Sequence, residues 1–264
     1  MGGAILNALT GSGYPAGSVF FYEPENEQAA KLSKSGAKRV SEIEDGFLKA
    51  DVVFLCIKPQ IFSKIANSLA SDLDKVMELR ADKSKDKPII VSIMAGVPIS
   101  KLQSTFDGNA VLVRTMPNIA LTVGKGTVAI SSDGVSDADL QTVEFLLSTC
   151  SNTVRVSESQ MDAVTGLSGS APAFVFQFVE ALAMGGVKMG LSRDVAMNLA
   201  LSTIRGAHKM LKESGLGTGE LTANVCSPAG TTIAGIQELE KGAFRGVVMA
   251  AVEAAALRSA ELGK

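Results

Sequence analysis

Short apolar runs alternate with helical segments through residues 1–156, and this alternation limits the possible folds more than any other feature. Residues 51–57, 89–94 and 110–115 are almost wholly apolar, as strands buried on both faces of a sheet are. Between the first two of them, residues 62–76 carry apolar side chains at helical spacing. Strands that alternate with helices build a parallel sheet covered on both faces. We therefore predict a doubly wound, mostly parallel α/β sheet. Further strands are predicted at 19–22, 127–131 and 153–156.

The pattern changes after Val156. Strand patterns stop, and long helices rich in Ala, Leu and Met follow at 173–189, 193–213 and 244–262. We predict a dinucleotide-binding domain over residues 1–156 and an all-α domain over residues 157–264. The last helix carries a broad apolar stripe with few residues to shield it, so we expect it to pack in a subunit interface.

The loops that follow the predicted strands are small, polar or proline-bearing. In an open parallel sheet, a ligand lies across the carboxyl ends of the strands, so these loops should converge. Glu23 follows the strand at 19–22 and stands about 20 positions beyond Gly2, the separation at which an acid takes the ribose hydroxyls of a dinucleotide. The charged segment 80–87 is predicted to be a solvated connection.

A tight turn opens a helix near the C-terminus, at residues 227–232. Pro228 fixes one φ angle, Gly230 allows a close backbone approach, and Thr231 and Thr232 follow where the first helical turn has free N–H groups. Such a helix start is an anion site. Capping residues of this kind are also common at ordinary helix starts, and the sequence alone leaves both interpretations open.

Composition excludes several classes of function. Lys and Arg total 25 against 27 for Asp and Glu, a net charge of −2 that does not favour nucleic acid or a membrane surface. We therefore expect a small-molecule ligand. The three cysteines are far apart and the single histidine, His208, is not near them, so neither a disulfide framework nor a metal site is predicted.

No run reaches the roughly 18 unbroken apolar residues of a membrane span. The richest candidate, residues 171–189, is interrupted by Gln177, Glu180 and Lys188. The N-terminus also lacks the pattern of a secretory signal. We expect a cytoplasmic protein without membrane association.

Several blocks of sequence are specific. The two strongest are MDAVTGLSGSAPAF (161–174) and SPAGTTIAG (227–235), supported by IKPQ (57–60), AGV (95–97), RTMPN (114–118) and LEKGAFR (239–245). In these blocks the chain resembles Δ1-pyrroline-5-carboxylate reductases, and the likeness runs from Met1 to the C-terminus. The resemblance implies a Rossmann domain followed by a helical dimerisation domain. It also implies reduction of a cyclic imine to L-proline by NADPH or NADH, without a metal, in a dimer or a larger assembly up to a decamer.

The resemblance also implies roles for individual residues. Thr232 is the catalytic candidate, facing the ring nitrogen as a hydrogen-bonding and positioning group, because a threonine hydroxyl is a poor general acid. The residues expected to bind the substrate are Val225, Ser227, Gly230, Thr231 and Thr232, and the last four are expected to hold its carboxylate. The residues expected to contact the cofactor are Met1, Gly2, Glu23, Cys56, Ile57, Lys58, Pro59, Met94, Ala95, Gly96 and Asn118.

The chain departs from the family pattern in several places. The family fingerprint G-x-G-x-M-G is represented only by Met1-Gly2, so the first strand and two glycines are absent, and we expect the natural chain to begin upstream. Ala171 and Ala229 stand where glycine is common, and Ile119-Ala120 replaces Thr-Pro. Two alternatives stay open: a related two-domain imine or β-hydroxyacid dehydrogenase, and a truncated non-catalytic dinucleotide-binding homologue.

The residues after the second strand of the Rossmann pattern suggest a cofactor preference. Glu23, Glu25 and Glu27 lie there, with no basic residue before Lys31. Carboxylates beside the 2′-phosphate of NADPH repel it. The sequence therefore predicts that NADH is accepted at least as well as NADPH.

Overall fold

The computed structural model describes residues 1–83 and 85–263, which form two compact units. The first unit comprises Met1–Gly169 together with the C-terminal end from Ala254, and the second comprises Ser170–Glu253. The first unit thus extends past the predicted boundary at Val156, where Glu158 forms an ion pair with Arg114 of the sheet domain at 2.6 Å. The Ser259 hydroxyl donates to Asp162 at 2.6 Å and so joins the C-terminal end to this extension.

Two sheets lie in the first unit. Their strands are β1 (Phe20–Phe21), β2 (Lys38–Arg39), β3 (Val52–Leu55), β4 (Ile89–Ser92), β5 (Val111–Pro117), β6 (Gly126–Ser132) and β7 (Ser151–Arg155). β1 and β2 form a parallel pair, and the other strands form a sheet in the order β3-β4-β5-β6-β7. Only the β5–β6 pairing is antiparallel among the described strands. The predicted mostly parallel sheet is confirmed, and β2 was not predicted.

Helices cover both faces of the five-stranded sheet. In the first unit they are α1 (Gly2–Gly11), α2 (Asn26–Ser33), α3 (Ile43–Lys49), α4 (Pro59–Asp82), α5 (Ile99–Phe106), α6 (Asp137–Ser148) and α7 (Met161–Val164). Ile89 and Val91 of β4 pack in a core with α1 and α6. Ile90, between them, packs with α3, α4 and α5. This alternation is the two-residue period of a strand with both faces buried, and it confirms the doubly wound prediction.

Arg80 contradicts the prediction that residues 80–87 form a solvated connection. It lies in the last turn of α4 and is only 1% exposed. Its guanidinium donates to the carbonyls of Phe47 at 2.6 Å, Ala50 at 2.9 Å and Asp86 at 2.6 and 3.0 Å. The bond to Phe47 is buried and those to Ala50 and Asp86 are partly buried, and one arginine supplies the donor for all three carbonyls. Ser84, in the same segment, lies outside the described residues.

The second unit is all-helical, as predicted. Its helices are α8 (Ala171–Lys188), α9 (Arg193–Glu213), α10 (Thr218–Val225), α11 (Thr231–Lys241) and the start of α12 (Phe244–Leu262). α8 and α9 pack closely at Gly186, where a Cβ atom would lie 3.1 Å from the Cβ atom of Ala196. Large apolar side chains remain exposed, among them Phe176 at 64%, Met189 at 83% and Met249 at 72%. Such a surface is typical of a subunit interface.

Candidate cofactor and substrate sites

The start of α1 lies against the end of β3. A Cβ atom at Gly2 would be 2.7 Å from the Cβ atom of Cys56, closer than side chains pack. Met1 is the residue before the helix, and its carbonyl accepts from the N–H groups of Ala4 and Ile5. The structure thus brings together Met1, Gly2 and Cys56, three of the predicted cofactor residues, where a helix start meets the carboxyl end of a strand. A glycine at this point permits the close helix–strand packing of a dinucleotide-binding unit, and the helix start is the end to which such a unit binds a pyrophosphate.

The turn after β3 leads directly into another helix. Lys58 precedes α4 as its N-cap residue, and Pro59 occupies the first turn, where a missing N–H costs nothing. Lys58 is exposed, and Ile57 is half-buried. Cys56 as a residue is exposed to solvent. The surrounding chain nevertheless desolvates its thiol, and this raises the pKa of the thiol to about 12. It is therefore a neutral thiol at physiological pH, and the turn offers backbone rather than a nucleophile.

The ends of β4 and β5 are occupied by structural contacts. Met94 is 1% exposed, so its side chain belongs to the core. Ala95 leads into Gly96, which has φ +74° and lies so close to the end of α12 that a Cβ atom would be 3.2 Å from the carbonyl carbon of Leu262. The Asn118 side-chain oxygen accepts from the Thr127 N–H at 3.2 Å and so fastens the β5 end to β6. From these predicted residues, backbone and the Asn118 NH₂ group remain for a ligand.

An arginine of β2 lies beside the end of β1, and sequence reasoning missed it. Register pairs Phe21 of β1 with Arg39 of β2. The Arg39 guanidinium donates to the Glu23 carbonyl at 2.7 Å and to the Asn26 side-chain oxygen at 3.0 Å. The Glu23 carboxylate turns back and accepts from the Glu25 N–H at 3.0 Å. Arg39 lies well beyond Glu23 in sequence, and only the strand pairing places it beside the acid.

The predicted turn before α11 is present in the second unit. α11 begins at Thr231 with Gly230 as its N-cap, and no side chain of the described residues caps it. A Cβ atom at Gly230 would overlap the Ser227 hydroxyl, and the Gly230 N–H donates to the Ser227 carbonyl at 3.0 Å. The first N–H groups of α11 are therefore free of side-chain partners, as an anion site requires. Other described helices, α4 and α5 among them, also begin without a side-chain cap, so this feature alone does not distinguish an anion site from an ordinary helix start.

The other predicted substrate residues flank this turn. Thr232 is half-buried in the first turn of α11, and Thr231 is exposed beside it. Val225 ends α10 and is 58% exposed. Ala229 has φ +55°, a left-handed conformation in which glycine is less strained, which explains why glycine is common at this position. The turn is built from backbone geometry, so its shape depends on Gly230 and Ala229 rather than on a charged side chain.

The fold and these turns define a class. Within residues 1–83 and 85–263, no group of three His, Cys, Asp or Glu side chains could hold a metal ion. Residues 1–96 match the family described as NADP oxidoreductase, coenzyme F420-dependent. Residues 158–262 match the family described as pyrroline-5-carboxylate reductase dimerisation. The protein is thus a two-domain oxidoreductase with a nicotinamide-dinucleotide domain and a self-associating helical domain.

Individual relatives identify the family. Pyrroline-5-carboxylate reductase of Corynebacterium melassecola is 38% identical over 276 residues, covering 100% of this chain and 97% of that protein. The crystal structure of the Plasmodium falciparum pyrroline carboxylate reductase with NADP bound has a TM-score of 0.86 at 30% identity, covering 100% of this chain and 95% of the other. The Coxiella burnetii reductase has a TM-score of 0.87 at 27% identity, covering 99% and 94%. The chain belongs to the pyrroline-5-carboxylate reductase family.

Proposed function

We propose that this protein reduces Δ1-pyrroline-5-carboxylate to L-proline with NAD(P)H, the last step of proline biosynthesis. Family membership supports this, as does the resemblance over the whole chain. The structural observation that carries the proposal is the turn before α11, where Gly230 lets the Ser227 hydroxyl approach the helix start and the first N–H groups have no side-chain partner. The substrate has one carboxylate, which suits a helix start with free N–H groups.

The chemistry divides between cofactor and protein. The bound nicotinamide supplies the hydride. The residues at the start of α11 bind the carboxylate through backbone N–H groups and the hydroxyls of Ser227 and Thr231. The Thr232 hydroxyl accepts a hydrogen bond from the ring N–H of the protonated imine and so positions the ring. In the first unit, the start of α1 at Gly2 and the end of β3 bind the dinucleotide backbone.

A direct assay tests this function. The purified chain should oxidise NADPH or NADH when Δ1-pyrroline-5-carboxylate is added and should release proline. A β-hydroxyacid offered with NAD(P)⁺ tests the related dehydrogenases and should not react. Turnover of the hydroxyacid alone would contradict the proposal. Failure to bind either dinucleotide at millimolar concentration, with no imine reduction, would instead support a non-catalytic homologue.

We further propose that the protein associates as a dimer, or a larger assembly up to a decamer, through its helical half. The exposed apolar side chains of α12 support this, with Val247 at 63% and Met249 at 72%.

Met249→Glu should shift the protein to a smaller species, because a buried charge at an interface is costly. Light scattering during gel filtration measures the mass. Leu79→Glu, at a residue that is 49% exposed on α4, is the control and should leave the mass unchanged. Equal masses for both variants would contradict the proposed interface.

A different apolar segment, the helical run that ends with α8, raises the question of a membrane. The helical run Glu158–Lys188 is long and apolar enough to cross one by length and composition. We propose that it does not, since Glu180 in this run pairs with Arg193 at 2.9 Å and an ion pair is unfavourable in lipid. The free cysteines Cys56, Cys150 and Cys226 are compatible with a reducing compartment, and we propose the cytoplasm.

A further inference from the structure

The end of β1 combines a cation with three carboxylates. Because β1 and β2 run parallel, their carboxyl ends lie at the same edge of the sheet, with Phe21 beside Arg39. The adenosine ribose of a dinucleotide binds at the strand end that bears the acid, and an arginine nearby receives the 2′-phosphate in NADP-binding proteins. Glu23 is that acid here, and its backbone carbonyl is already a bonding partner of Arg39 at 2.7 Å.

The charges at this edge differ from those that the sequence suggests. The Glu23 carboxylate bonds to the Glu25 N–H, and Glu27 pairs with Lys31 at 2.7 Å. Arg39 forms no ion pair with the described residues, since its two partners are the neutral oxygens of Glu23 and Asn26. A guanidinium has more N–H donors than these two bonds use. Arg39 therefore presents an exposed guanidinium that has no ion-pair partner among the described residues, while the Glu23 and Glu25 carboxylates nearby keep their charges.

We propose that Arg39 determines the dinucleotide specificity of this protein by binding the 2′-phosphate of NADPH. A guanidinium forms paired, charge-assisted hydrogen bonds with phosphate, and the contacts to Glu23 and Asn26 hold it at the ribose end of the site. The inference rests on the proposed use of NAD(P)H. It revises the expectation of an NADH preference, because that argument counted carboxylates and no cation. NADPH is now expected to bind at least as tightly as NADH.

Calorimetric titration of the full chain tests the proposal without turnover. The ligands are NADPH and NADH, and then adenosine 2′,5′-bisphosphate and AMP, which lack the nicotinamide. Arg39→Gln should weaken NADPH and the bisphosphate by about 10- to 100-fold, the effect of losing hydrogen bonds between charged groups. NADH and AMP should change by less than about twofold, because neither ligand carries the 2′-phosphate. An unchanged ratio of NADPH to NADH affinity would overturn the proposal.

Lys38 provides a matched control. It precedes Arg39 on the same strand, and its ammonium lies 5.9 Å from the centre of the Phe20 ring instead of beside Glu23. Lys38→Gln removes the same charge and should leave the affinity ratio unchanged, whereas a loss equal to that of Arg39→Gln would show only a net-charge effect and contradict the proposal. Arg39→Lys should retain part of the NADPH affinity.

If the unaltered chain reduces the imine and binds both dinucleotides while Arg39→Gln changes nothing, only the role of Arg39 fails. If it neither binds a dinucleotide nor reduces the imine, the proposed function fails as well.

Discussion

Thr232→Ala is expected to lower kcat by about 30- to 1000-fold. One positioned hydrogen bond to the reacting group contributes about 2–4 kcal/mol to transition-state stabilisation, which converts to that range of rates. Thr232 lies half-buried in the first turn of α11, next to the uncapped N–H groups. The backbone N–H groups and the hydroxyls of Ser227 and Thr231 still bind the carboxylate in this variant. KM should therefore change less than kcat, and kcat/KM should fall with kcat. Steady-state kinetics with varied imine measures both constants.

Two variants separate the hydroxyl from the fold. Thr232→Ser retains the hydroxyl and should recover most of the activity. Thr222→Ala removes a hydroxyl from α10 that donates to the Thr218 carbonyl at 2.8 Å, and it should leave kcat within about twofold, as expected of an exposed helical position. Normal turnover by Thr232→Ala would show that Thr232 has no role in the mechanism. Some other group would then have to bind the ring nitrogen of the substrate.

Arg80→Met should lower the free energy of unfolding by about 3–5 kcal/mol. The side chain is buried and satisfies three carbonyls, one each from Phe47, Ala50 and Asp86. A methionine of similar length fills the space but leaves the buried Phe47 carbonyl and the two partly buried carbonyls without their donor. A buried unpaired acceptor costs about 1–3 kcal/mol. The midpoint of urea unfolding reports the loss if the slope is unchanged.

Arg155 is a matched surface arginine. It makes three hydrogen bonds, two to Glu144 and one to Asp137, and is far more exposed than Arg80. Exposed ion pairs contribute little because water and salt screen them. Arg155→Met should therefore move the midpoint much less than Arg80→Met, although it removes a similar number of bonds. Equal shifts would show that burial does not control the contribution of Arg80.

The predictable part of the fold was the part with a hydrophobic period. β3 and β4 are apolar runs, and their alternating contacts with two cores follow from strand geometry. β2 has no such signal, because Lys38 and Arg39 are both exposed and become a strand only by pairing with β1. Arg80 was misassigned because its charge suggests solvent, while two of the carbonyls that it binds, those of Phe47 and Ala50, come from distant positions in the chain.

The site shows the same limit. The turn at Gly230 and the start of α11 were predicted correctly because glycine and a helix start leave local marks in sequence. The side-chain bond of Asn118 to Thr127 and the burial of Met94 depend on the whole sheet, so sequence could place both residues at the strand ends but not their contacts. The roles of the site residues stay predictions until they are measured.

The small core of the helical unit has a thermodynamic consequence. Within residues 170–253, four buried apolar side chains form the core, namely Val179, Ala183, Ala196 and Ala200. Burial of this size does not offset the conformational entropy lost by so many ordered residues. If the remaining stabilisation comes from a second copy, as the proposed dimer implies, folding of this unit is coupled to association and follows mass action. Each tenfold rise in subunit concentration then adds about 1.4 kcal/mol per dimer to the free energy of unfolding. A free energy of unfolding for this protein must therefore be stated together with the subunit concentration at which it was measured.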